Sequence, residues 1–115
     1  RAMRVFFSLF ILLTTTAANA EDKEKVAAGW RYAHQIKCEE LAYSAKLYDA
    51  IDLHKQKAQI AKTDALSSGL LSEVELQSYR VHALGEHEGM RLAFSMLQED
   101  LEPTFRKFYK YIKCE

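Results

Sequence analysis

A single proline and four glycines punctuate 115 residues, so almost nothing along the chain interrupts a helix. Past residue 20 the composition leans on Ala, Leu, Glu, Lys and Gln, which lose little on entering a helix. Val, Ile and Thr, which favour strands, are scarce there. No stretch alternates apolar and polar residues with the two-residue period of a half-buried strand. The expected fold is all-α, a small antiparallel helical bundle of three to five helices closed by one disulfide.

Residues 4–20 read RVFFSLFILLTTTAANA. Arg4 supplies a positive start, Val5 to Leu13 an apolar run, and Ala18-Asn19-Ala20 a small-x-small cleavage site. This is the three-part grammar of a secretory signal peptide. Charge sets in at once with Glu21-Asp22-Lys23-Glu24-Lys25. The apolar run is far short of the ~20 residues that cross a bilayer as a helix. The expected organisation is therefore a cleaved leader at 1–20 and a single helical domain at 21–115. The domain is expected to be periplasmic or secreted, with no stable membrane anchor after cleavage.

Charge narrows the partners. The whole chain balances 16 Lys+Arg against 16 Asp+Glu. Loss of Arg1 and Arg4 with the leader turns neutrality into a slight acidic excess. No basic excess remains to release counterions from a nucleic acid, so none is expected as a partner. Export also gives the two cysteines a meaning. Cys38 and Cys114 are alone in the chain, and in an oxidising compartment they are expected to form a disulfide. Two cysteines are too few for a Cys-based zinc finger.

Periodicity places the helices. A first helix is expected from near Asp22 to about Leu66, with an early inward stripe of Ala27, Trp30, His34, Cys38, Leu41, Ala45 and Tyr48. The stripe then drifts to Leu47, Ile51, His54, Ala58, Ala61 and Ala65. A kink or short break between Ser44 and Lys57 would suit that drift, although no Pro or Gly marks it. Ser67-Ser68-Gly69 forms the turn. Ser72 to Glu75 reads as a capping box that opens a second helix. Its heptad seam is Leu76, Ala83, Met90 and Leu97, interleaved with Tyr79, Glu86 and Ala93. Gly85 and Gly89 either let a neighbour approach this helix closely or break it in two. Pro103 suits the first turn of a last helix, where Phe105, Phe108, Tyr109 and Ile112 make one apolar face that carries Cys114 to the core.

Few residues carry chemistry. His82 and Glu86 stand one helical turn apart, and Glu86-His87-Glu88 adds further donors. With His34 or His54 from the first helix, His82 and Glu86 are the candidate metal ligands. On the heptad seam Glu86 would be a buried carboxylate, needing Arg91, His82 or a tyrosine hydroxyl as partner. His34 and Cys38 also lie one turn apart, but the disulfide is the stronger use of Cys38. The chain has no HExxH, CxxCH, GxSxG or phosphate-binding glycine loop. No catalytic residue, enzymatic activity or cofactor is expected. Tyr32, Tyr43 and Tyr111 fall off the inner stripes and are expected at the surface. The candidate binding residues are Trp30, Tyr43, His82, Glu86 and His87, of types that anchor or orient protein contacts.

These features describe an exported helical protein that works by binding another protein in the envelope or outside the cell. It would act as an inhibitor, an immunity protein or an envelope accessory factor. The layout of leader, about a hundred helical residues and one disulfide is similar to that of helical periplasmic immunity proteins against toxic amidases. The similarity is one of layout, and no motif residue is carried over from it. The alternative is a bundle that holds a metal ion or small apolar ligand between its helices. The surface of Ala83, Gly85, Gly89 and Ala93 also admits a homodimer.

Overall fold

The computed structural model describes the backbone of residues 2–115 and the side chains of residues 20–115. The leader expected at residues 1–20 lies, except for Ala20, outside the residues whose side chains are described. Among the described residues there are four helices and no strand: α1 (Ala2–Ser44), α2 (Tyr48–Ser67), α3 (Glu73–Met96) and α4 (Leu101–Tyr111). The molecule is a small antiparallel helical bundle closed by the Cys38–Cys114 disulfide, whose Cα atoms stand 5.5 Å apart.

The central element is α1, which packs against each of the other three helices; α3 also meets α4. Cross-links give the directions. On α3, Tyr79 meets Trp30, Glu86 meets Lys37 and His87 meets Ser44, so α3 runs parallel to α1. On α4, Arg106 meets Ala45 and Cys114 meets Cys38, so α4 runs back along it. A tight turn at residues 45–47 sends α2 back as well, bringing His54 to Gln35.

That turn falls within Ser44 to Lys57, where a break was expected, and corrects the reading of one continuous helix from Asp22 to Leu66. The chain reverses at Lys46, which takes a left-handed conformation with φ of 56°. Leu47 N–H donates to Ala42 O at 2.8 Å and Lys46 N–H to Tyr43 O at 3.1 Å. This is a Schellman motif, in which a left-handed residue lets the last carbonyls find donors. Leu47, half-buried, packs into the same cluster as Ala42, the apolar contact that accompanies such a cap. Arg106 Nε donates to Ala45 O at 3.2 Å, so a cation also answers the negative end of α1.

The core has two parts on different faces of α1. One gathers Ala28, Tyr32, Ala33 and Ile36 against Ala58, Ala65, Leu71, Leu76 and Ala83 of α2, α3 and their connection. The other gathers Cys38, Leu41, Ala42 and Ala45 against Phe105, Tyr109 and Cys114. Tyr32, expected at the surface, is buried in the first part. Gly29 explains the close packing there. A Cβ on it would lie 2.1 Å from the Tyr79 ring, so α3 lies against α1 where α1 has no side chain.

α3 is unbroken. Ser72 and Glu75 form the expected capping box, each side chain bonding the other's backbone N–H at 3.1 Å. Gly85 and Gly89 have only open space beyond them, so no neighbour among the described residues packs against either. Ala83 is fully buried, whereas Ala93 is exposed. The four residues expected to offer one surface to a second copy therefore do not share a face. The expected face of α4 is present, with Phe105 and Tyr109 buried and Phe108 and Ile112 half-buried against the second cluster. Closing a loop of 76 residues, the disulfide stabilises by roughly 4 kcal/mol on the chain-entropy model, less any strain.

Candidate functional site

The stripe Ala27, Trp30, His34, Cys38, Leu41 and Ala45 keeps one direction along α1, because steps of three and four residues stay on one helical face. α4 covers only its second half. Cys38, Leu41 and Ala45 are fully buried, while His34 is half-covered, Ala27 is exposed and Trp30 is 48 % exposed. The uncovered half forms a groove on the line of α4 beyond Cys114. The part of the core around Ala28, Ala33 and Ile36 sits on the opposite face of α1, so α2 and α3 do not close over the groove.

Trp30 and His34 divide this groove into two depressions. On the α2 side is a cavity of about 540 Å³ lined by Ala27, Trp30, Arg31, His34, Gln35, Lys57, Ile60, Ala61 and Asp64. Its wall is mainly apolar, with charges at the rim. On the α3 side a smaller cavity, about 260 Å³, is bounded by Trp30, Ala33, His34, Lys37, His82, Ala83 and Glu86. The indole of Trp30 meets the rings of Tyr79 and His82 edge-on, each with centroids 5.4 Å away. Edge-to-face contacts hold the indole in place and leave part of its face to solvent.

The structure thus gathers three of the five candidate binding residues, Trp30, His82 and Glu86. Glu86 departs from its expected burial. It is largely exposed, ion-paired to Lys37 and within 3.3 Å of His82. The Lys37 ammonium beside it holds its carboxyl below the usual carboxylate range, against a smaller opposing effect of burial. The seam drifted because an α-helix repeats every 3.6 residues whereas a heptad assumes 3.5. Beyond Ala83 the inner positions are His87, Met90 and Phe94, not Glu86, Met90 and Ala93.

His87 is therefore a core residue, away from the groove. Ser44 Oγ lies 2.9 Å from its Nε2, and its ring packs against Phe105 at 5.0 Å. Its Nδ1 is buried without a hydrogen-bond partner among the described residues. Burial lowers its pKa, because a charged ring there would lack water. His54 is also fully buried. Its Nδ1 lies 2.8 Å from Gln35 Oε1 and its Nε2 2.7 Å from the Tyr109 hydroxyl. Nδ1–H donates to the amide oxygen and Nε2 accepts from the phenol, so this imidazole ties three helices together. Tyr43 is exposed but stands about 20 Å along α1 from Trp30 at 1.5 Å per residue, outside the groove.

The metal candidates His34, His82 and Glu86 line one cavity, yet Glu86 is engaged by Lys37. Among the described residues, a different trio brings all its donor atoms within 4.8 Å of one another: His34, Cys38 and Cys114. No helix of the described residues is long and apolar enough to cross a membrane. No protein-family model, curated protein or solved structure matches the chain.

Proposed function

We propose that the chain is an exported helical protein that binds another protein through the groove around Trp30, as an inhibitor, immunity protein or envelope accessory factor. The observation that carries this reading is the half-covered stripe of α1. An apolar strip that receives α4 over one half is left open over the other, with an aromatic side chain braced at its centre. A half-exposed Trp flanked by apolar depressions and rimmed by Arg31, Lys57 and His82 has the composition of an interface hot spot. Export accords with the leader grammar and with the disulfide, which persists in oxidising compartments.

The test starts from the mature protein as bait in an envelope extract. A captured partner is then purified and titrated calorimetrically against the wild type and Trp30→Ala. A one-to-one complex weakened at least tenfold by Trp30→Ala supports the reading. Equal affinity for the variant overturns the site.

One observation favours a second reading. The cavity between α1 and α2 has the size and apolar wall of a small-molecule site, and Arg31 and Lys57 stand at its rim. A small apolar ligand fits that wall, with Arg31, Lys57 and Asp64 offering charge of either sign to a polar end. Native mass spectrometry separates the readings, since a ligand retained through purification and displaced in Ile60→Trp favours the second.

A further inference from the structure

We infer that the bundle, once its disulfide is reduced, holds a zinc ion on His34 Nε2, Cys38 Sγ and Cys114 Sγ. His34 and Cys38 stand one turn apart on α1, and Nε2 lies 3.5 Å from Cys38 Sγ. Lys113 takes a left-handed φ of 62°, and Cys114 N–H returns to Tyr109 O at 3.0 Å. This cap turns the Cys114 side chain inward onto Cys38. All three donor atoms lie within 4.8 Å of one another.

The spacing suits the metal. A tetrahedral zinc with Zn–S of about 2.3 Å and Zn–N of about 2.0–2.1 Å sets sulfur and nitrogen about 3.5 Å apart. That edge already exists between His34 and Cys38. The two sulfurs need to part to about 3.8 Å, a shift that reduction permits because it removes their bond. Thiolate and imidazole are the donors that zinc prefers. Both cysteines are buried, but His34 lines both depressions of the groove. His34, half-buried, is the donor open to the groove, and a metal approaches from its side.

The chemistry balances with an external reductant. A phosphine takes one oxygen from water and becomes its oxide, supplying two electrons. The Cys38–Cys114 bond breaks, and the two hydrogens left by the water end on the sulfurs. Zinc then displaces both thiol protons and binds neutral His34. Oxidation reverses this, so that metal and disulfide exclude each other at the same atoms.

The experiment uses the purified chain, metal-free and reduced anaerobically with a phosphine. It is titrated with zinc(II) against a chromogenic chelator and separately with cobalt(II). The reduced wild type is expected to take up one equivalent of zinc and to show cobalt–thiolate charge-transfer bands with tetrahedral d–d absorption. The oxidised protein is expected to show neither. His34→Ala and Cys114→Ser should each weaken zinc at least tenfold. The oxidised His34→Ala protein should keep its helical circular dichroism, which separates loss of a ligand from loss of the fold. If reduction unfolds the chain, zinc should restore its helicity. The inference is overturned if the reduced wild type takes up no more zinc than the oxidised protein. It is equally overturned if cobalt(II) gives no thiolate band, if zinc leaves an unfolded reduced chain unfolded, or if His34→Ala binds zinc as tightly as the wild type.

Discussion

The two halves of α1 are held by different means. Around Ala28, Ala33 and Ile36 several alanines and Gly29 let the helices come close beside Tyr32, Leu71 and Leu76, and the neighbouring helices arrive through short connections. Around Cys38 to Ala45 the neighbour is α4, which lies more than fifty residues away in sequence. There a fully buried phenylalanine, a buried histidine network and a disulfide hold it. Small residues bring helices close without needing distant chain. A distant helix brings a larger loop-closure cost, and large or covalent contacts offset it. The open groove lies where the first kind of packing leaves the α4-facing stripe uncovered.

Phe105 tests this contrast most severely. It is fully buried, and it meets His87 and Phe94. Phe105→Ala should destabilise by about 4 kcal/mol through lost burial and the cavity left behind. Leu76→Ala, at a fully buried site in the other part of the core, should cost about 3 kcal/mol. Urea denaturation measures both. A larger loss at Leu76 would reverse the assignment of the α4 half as the more demanding one. Cys114→Ser should follow, lowering stability by about 2–4 kcal/mol. Its effect should concentrate on hydrogen-exchange protection in α4 and in residues 38–45, while the amides of residues 28–36 lose less.

Much of this arrangement was legible in the sequence, and the misses have physical causes. The apolar face of α4, the capping box and the disulfide follow from local spacing and from the pair of cysteines, and each stands as expected. The reversal at Lys46 was signalled by the drift of the stripe at Leu47. It lacked the glycine that normally marks a left-handed cap, so a continuous helix was the simpler expectation. Glu86 and His87 exchanged roles because a strict heptad gains a fraction of a residue per turn on a straight helix. Tyr32 was expected at the surface because α1 buries two faces at different heights, and a single stripe describes only one. The groove needed the structure. His82 and Glu86 were paired by their spacing, and only the parallel run of α3 along α1 brings them to Trp30.

The histidine network gives a smaller effect with a definite sign. Burial lowers the pKa of His54, with Lys57 and His34 adding positive charge nearby. Burial also lowers the pKa of His87, against the opposing carboxylates of Glu40 and Glu88. A histidine with a depressed folded pKa favours the neutral state. Its contribution is present above the unfolded value near 6.5 and is lost as pH falls through the lower folded value. Stability should therefore decline from pH 7 toward pH 5, first in the α4 half. Tyr109→Phe leaves His54 Nε2 buried without its donor and should cost about 1–3 kcal/mol at pH 7. It should also steepen that decline, since a protonated Nε2 loses the phenol oxygen as acceptor and would be a buried charge without a partner. Melting curves of both proteins across this range measure the difference, and identical slopes would remove His54 from the account.

The smallest effect concerns the turn that separates α1 from α2. Of the four positive-φ helix ends among the described residues, Lys46, Gly69, Gln98 and Lys113, one is a glycine. A side chain in that region costs roughly 1 kcal/mol, which glycine avoids. Lys46→Gly relieves this strain but gives up the Lys46–Glu102 pair, 3.3 Å long and exposed, worth about 0.2–1 kcal/mol. It also makes the unfolded chain more flexible. The expected net change is within about 0.5 kcal/mol of zero, with Lys46→Asn close beside it because asparagine tolerates the same conformation. Lys46→Val, branched at Cβ, should lose more than 1 kcal/mol. If valine were tolerated as well as glycine, α1 would not need the left-handed residue to end, and the reversal at Lys46 would rest on Arg106 and the packing of Leu47 instead.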